Sequence, residues 1–167
     1  PGCRGGRARS LQFKGGQSNP TYWVGVEGAA EPVELVLRKK PPGDLLPSAH
    51  AVEREYRVMR ALSGSDVPVP VALACCEDSA VLGTPFFVMR YVPGRIFWQA
   101  DLPELATNAE RRAAYAEYVR VLAAIHRVDV AAAGLSDYGK VGGFVARQVA
   151  RWSKQYRASQ TAELPAM

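Results

Sequence analysis

Hydrophobic and polar positions along this chain follow two periods, and the change from one to the other divides it. Up to about residue 91 the apolar residues come in short runs, several of them alternating: Leu11 and Phe13, Tyr22 to Val26, Val33 to Arg38, Val71 to Cys76, and Val81 to Tyr91. Turn-forming residues separate them at Gly15-Gly16, Glu27 to Pro32, and Glu77-Asp78-Ser79. Short β-rich runs between such breaks are what an antiparallel meander requires. Pro41-Pro42-Gly43 stops the third strand, since neither proline can donate to a ladder, and Pro93-Gly94 stops the last. One helix interrupts the strands. Val52, Tyr56, Met59 and Leu62 recur at helical spacing, with Ser48 as the expected N-cap and Ser63-Gly64-Ser65 as the close. Pro68 and Pro70 then force an extended crossing back to the sheet.

Beyond residue 96 the period lengthens to that of a helix. Thr107-Asn108-Ala109-Glu110 is a capping box, with threonine as N-cap and glutamate reaching back from the third helical position. The helix it opens carries Ala114, Tyr118, Val121, Leu122 and Ile125 on one face, and a further helix from about Phe144 groups Val145, Val149, Trp152 and Tyr156. The expected class is α+β: an antiparallel sheet plus one helix over residues 9–95, then helices over 96–167. Residues 1–8 are set aside as a disordered tail, and the lack of an initiator methionine suggests a fragment or a processed product.

A chain of 167 residues can bury a real core, and its 48% hydrophobic and 22% charged content is that of a soluble globular protein. The net charge of +5 would admit a polyanion. The basic residues are scattered, however, and only Arg38-Lys39-Lys40 form a run, which argues against a nucleic-acid partner. A nucleotide phosphate is the smaller anion that also fits. No apolar stretch approaches the roughly 18 residues of a membrane span, and no hydrophobic region follows the basic start to make a signal peptide. No membrane partner is expected, and the expected location is the cytoplasm. Cys3, Cys75 and Cys76 supply neither a disulfide framework nor metal-ligand spacing.

The candidate chemistry starts at Gly15-Gly16-Gln17-Ser18-Asn19. Alone, two glycines are as well explained by a tight turn needing positive φ. Their setting differs from a Walker or dinucleotide loop, which runs from strand into helix. A strand–glycine–strand flap is instead what covers the phosphates of ATP in kinases, where backbone N–H groups must approach closely. Arg38 ends the third strand where a kinase places its phosphate-pairing lysine, and Glu55 lies on the next helix where the partner glutamate belongs. Arginine keeps its charge and offers two parallel donors, so the exchange is chemically tolerable. Lys39 or Lys40 would take the role if the register shifted, and a solvated strand end is the plainer alternative. Met89, Arg90, Tyr91 and Val92 would lend backbone groups to the adenine edge, or simply end a strand. Phe97 and Trp98 read as packing residues. His126-Arg127-Val128-Asp129 imitates a kinase catalytic loop, but carries an extra residue before Asp, and no asparagine follows Asn108. His50, in a Pro/Ser-rich stretch, has no sequence partner that would make it a ligand or a base.

Longer motifs point to one family. Phe13 to Thr21, Val36 to Gly43, Arg54-Glu55-Tyr56 and Pro68-Val69-Pro70 resemble the aminoglycoside phosphotransferase/choline kinase superfamily. Leu45 to His50, Gly94 to Phe97 and Ala146 to Tyr156 are similar to a narrower branch, which includes the kinase-like domain fused to acyl-CoA dehydrogenases. The resemblance implies a protein-kinase-like N-terminal lobe over 9–95, the first helices of an incomplete helical C-terminal lobe over 96–167, and ATP with Mg²⁺. It also implies phosphorylation of a hydroxyl on a small molecule, in this branch a hydroxyacyl-CoA or hydroxy acid, and a fused or associated dehydrogenase as partner. The nucleotide-contacting set it implies is Gly15, Gly16, Gln17, Ser18, Asn19, Arg38, Glu55, Met89, Arg90, Tyr91 and Val92. The family's catalytic Asp/Asn loop and later metal-binding Asp motif do not occur in these residues, so Mg²⁺ ligands and a catalytic base are expected elsewhere. A nucleotide-binding module without catalysis is the alternative.

Overall fold

The computed structural model describes residues 7–14, 18–28, 33–43 and 50–159. They form two compact units, Pro1–Asp129 and Val130–Met167.

The first unit is built on a five-stranded antiparallel sheet: β1 (Arg7–Gln12), β2 (Thr21–Glu27), β3 (Val33–Lys39), β4 (Ala72–Cys76) and β5 (Phe86–Arg90). Their order is β1-β2-β3-β5-β4. The first three strands form the expected meander. The return is different, because β5 inserts beside β3 and leaves β4 at the edge. β1 begins at Arg7, inside the stretch expected to be tail.

The helix α1 (Val52–Leu62) fills the crossover between β3 and β4 and packs on β4 and β5. Its N-cap is Ala51, which makes no side-chain cap; the expected cap, Ser48, lies outside the described residues. Antiparallel pairing puts directly opposed residues on one face of the sheet. Phe87 opposes Arg38, Met89 opposes Val36, and Thr21 opposes Arg38. The face that buries Phe87 under α1 is therefore also the face that delivers Arg38 and Thr21. Phe87 and Val52 are both 0% exposed, and the Phe87 ring lies tilted against Tyr56 with centroids 6.1 Å apart. On the same face the Trp23 indole lies across Gly25, where an added Cβ would come within 2.4 Å of the ring. Glycine at this strand position makes room for the aromatic.

Leu62, Val67 and Ala124 form a second buried cluster at the end of α1, with Val58, Val69 and Val128 against it. It ties α3 (Asn108–His126) to the end of α1 and to the segment that leads into β4. Thr107 accepts from the Glu110 N–H at 3.2 Å while the Glu110 carboxylate accepts from the Thr107 N–H at 2.9 Å, so the expected capping box is present.

One expected strand is shorter than its pattern. Val81 belongs instead to a single-turn helix, α2 (Ser79–Leu82). Asp78 accepts from the Ala80 N–H at 2.8 Å, and Gly83 closes the turn in the left-handed region. A cap at each end outweighs the β-propensity of one valine. The second unit has turns over 130–143 and then α4 (Phe144–Ser159). The Arg147 guanidinium donates to the carbonyls of Gly142 and Lys140 and so holds the loop that leads into α4.

Candidate functional site

The polar residue most deeply placed among the described ones is Asn19, 4% exposed. A buried amide must find hydrogen-bond partners, and tracing them defines the site. Asn19 Nδ2 donates to Glu55 Oε1 at 2.8 Å. Glu55, on the first turns of α1, holds Arg38 Nε at 2.6 Å through Oε2, an ion pair rather than an aligned hydrogen bond. Arg38 Nη2 also reaches Glu55 Oε1 at 3.4 Å, and Nη1 donates to Thr21 Oγ1 at 3.0 Å. The Thr21 hydroxyl in turn donates to the Asn19 carbonyl at 3.0 Å. On the far side His50 Nδ1 lies 3.0 Å from Asn19 Oδ1.

Local structure explains each position. Arg38 and Thr21 meet because they are a directly opposed pair on β3 and β2. Glu55 reaches them because the turn of α1 that carries it sits on the same face as Phe87. The alternation of β3 also settles which basic residue faces the helix. Lys39 points the other way and donates to the Leu82 carbonyl at 2.9 Å, leaving Arg38 as the cation paired with Glu55.

The side chains of Arg38 and Glu55 remain 29% and 38% exposed, so the pair sits at a surface and not in the core. A guanidinium carries five N–H groups. Among the described residues Nη1 gives one N–H to Thr21 and Nη2 one to Glu55, while Nε meets Glu55 only as an ion pair. A guanidinium held in this way is suited to pair with a phosphate or carboxylate.

The nominated residues divide into several groups. Asn19, Arg38 and Glu55 come together. Asn19 was expected in the cover over the phosphates, but its side chain turns inward, because Glu55 and His50 satisfy it there. Ser18 is exposed, and Gly15, Gly16 and Gln17 lie outside the described residues. Met89 and Arg90 close β5, with Tyr91 and Val92 following it. The N–H groups of Arg90 and Tyr91 already donate to the carbonyls of Val71 at 2.9 Å and Glu34 at 3.2 Å. Those two donors extend the sheet; Val92, past the last of these bonds, is exposed. Phe97 lies under the Arg95 guanidinium, 5.4 Å from its charge centre, while Trp98 is exposed.

Two members of the network were missed. Thr21 ends the family-like segment from Phe13 but was given no role there, and the pairing register brings it to Arg38. His50 has a partner that sequence could not supply, 31 positions away in the chain. It sits at φ +59°, a left-handed conformation uncommon for a residue with a Cβ. Among the described residues no group of three or more His, Cys, Asp or Glu is placed to hold a metal ion. An open groove of about 720 Å³ lies between residues 97–102 and α3, lined by apolar side chains such as Phe97, Leu102, Tyr115 and Val121. None of its lining residues belongs to the polar network, so volume and charge point to different places. The charged site is the one with chemistry.

Comparison with known proteins bears on that chemistry. Residues 10–167 match the pattern of the phosphotransferase enzyme family. A solved structure from Ralstonia eutropha, assigned as an aminoglycoside phosphotransferase, is 46% identical and superposes with a TM-score of 0.73, covering 98% of this chain and 46% of that one. Mouse acyl-CoA dehydrogenase family member 10 is 51% identical over 157 residues, and human family member 11 is 43% identical over 156. These alignments take in 94% and 93% of this chain but only 14% and 19% of the relatives.

Proposed function

The chain belongs to the phosphotransferase enzyme family, and from that membership we propose that it is the ATP-binding portion of a small-molecule phosphotransferase. The fold is α+β, a five-stranded antiparallel sheet with helices of the protein-kinase-like kind. The observation that carries the proposal is Arg38, a partly exposed cation held in place by Glu55 and Thr21. In this reading its guanidinium meets phosphate, and the backbone N–H groups of Gly15, Gly16, Gln17 and Ser18 lie over it. Met89, Arg90, Tyr91 and Val92 frame adenine through their carbonyls and the Val92 N–H. Mg²⁺ would neutralise charge on the phosphates, with ligands supplied from outside the described residues.

The acceptor is a hydroxyl group. The dehydrogenase names of the relatives favour a hydroxyacyl-CoA or a hydroxy acid, and a fused or associated acyl-CoA dehydrogenase as partner. The second reading is a nucleotide-binding module without catalysis. Positioning, metal and a base together make phosphoryl transfer work, so this chain alone should bind ATP without turning it over.

Calorimetric titration with Mg·ATP tests the proposal. Saturable binding is expected, weakened at least about tenfold by Arg38→Ala, the loss of about 1.4 kcal/mol. Lys40→Ala should change it little. No binding by the unsubstituted chain would sink the proposal, and equal effects of the two substitutions would remove Arg38 from its role. ADP release coupled to phosphorylation of a hydroxy acid would show that the chain is catalytic by itself.

A further inference from the structure

We infer that His50 is a positioning residue for the Arg38–Glu55 pair, acting through the amide of Asn19. The orientation of that amide follows from chemistry. The Glu55 carboxylate only accepts, so the group 2.8 Å from its Oε1 must be the Asn19 nitrogen. Asn19 Oδ1 then faces His50, and at 3.0 Å the Nδ1 of His50 must carry the proton. At 4% exposure Asn19 has little access to water, so without His50 its Oδ1 is a buried acceptor left unmet. An amide in that state gains by turning its nitrogen away from Glu55 or by leaving the site. Either movement releases Glu55 Oε1, and with it one of the two oxygens that orient Arg38.

Backbone geometry agrees. His50 is one of two non-glycine residues at positive φ among the described residues, a conformation that persists where the surroundings impose it. It stands two positions before α1, so the bond to Asn19 joins the entrance of that helix to the chain just ahead of β2. Glu55 is thereby held from its own helix and from the segment ahead of β2, whose Thr21 also accepts from Arg38. The consequence for nucleotide affinity rests on the function proposed above; the positioning itself does not.

The test uses this chain labelled with ¹⁵N, so that positioning and nucleotide binding are measured separately. In the unsubstituted protein the His50 ring should show a protonated Nδ1; a bare Nδ1 with the proton on Nε2 overturns the inference and needs no variant. His50→Ala should shift the Asn19 side-chain amide and Arg38 Nε–H resonances and weaken Mg·ATP binding about three- to tenfold, the worth of one neutral hydrogen bond. His50→Asn should restore both, because its amide places a donor at the same distance along the side chain and asparagine tolerates positive φ. Unmoved Arg38 and Asn19 signals in His50→Ala overturn the inference whatever the affinity does. Shifted signals in a protein that never bound ATP uphold the positioning role and discard the nucleotide reading.

Discussion

α1 and α4 are both amphipathic helices, yet one is part of a core and a site while no residue of the other is buried. α1 sends Val52 and Leu62 inward, covers Phe87, and turns Glu55 toward Arg38. α4 is longer and carries Val145, Val149, Trp152 and Tyr156 on one face, but none of its residues is buried, and Trp152 is 64% exposed. The pattern is legible in both sequences. What differs is a complementary surface. The sheet presents Phe87 and Met89 to α1, and among the described residues of its own unit no element presents the like to α4. Amphipathicity states a demand for a partner; only packing states whether it is met.

The largest effect should come from removing that partner surface. Phe87→Ala deletes a ring that is 0% exposed and should cost about 3–5 kcal/mol in urea unfolding, at the high end of single substitutions. A loss no greater than about 0.5 kcal/mol, the size of an ordinary surface change, would mean α1 is not held by the sheet.

α3 lies between the two extremes, because its start is locally determined. Thr107→Ala removes the cap and should cost about 1 kcal/mol by the same measurement. The backbone N–H and then the hydroxyl of Thr107 hold the Glu110 carboxyl below the usual carboxylate range. A depressed folded-state value gives a contribution that is full above the unfolded value and lost as pH falls through the folded one. Acid titration followed by helical circular dichroism should show this loss in the native chain and not in Glu110→Gln. An identical acid profile in the two would remove the box from the account of α3.

The smallest effect belongs to α4. Val149→Lys, on its exposed apolar face, should leave unfolding within about 0.5 kcal/mol of the parent chain. A larger loss would show that this face is packed and would abolish the contrast with α1.

Much of the architecture was determined by the sequence itself, wherever its cause is local. Alternation between turn residues marked the strands, the Thr107/Glu110 spacing marked the start of α3, and proline and glycine marked the breaks. Local causes also explain an error: Asp78 and Gly83 cap a turn of helix where Val81 read as strand. The sequence could nominate Arg38 and Glu55 but could not exclude Lys39, because a one-residue slip reverses the face of a strand, or Lys40, which a two-residue slip would put in the place of Arg38. Register against β2 and β5 made that choice. Only the tertiary structure turned Asn19 inward and gave His50 its partner. Both depend on chain segments brought together by the sheet and α1, and contacts across such distances leave no periodic trace in the sequence.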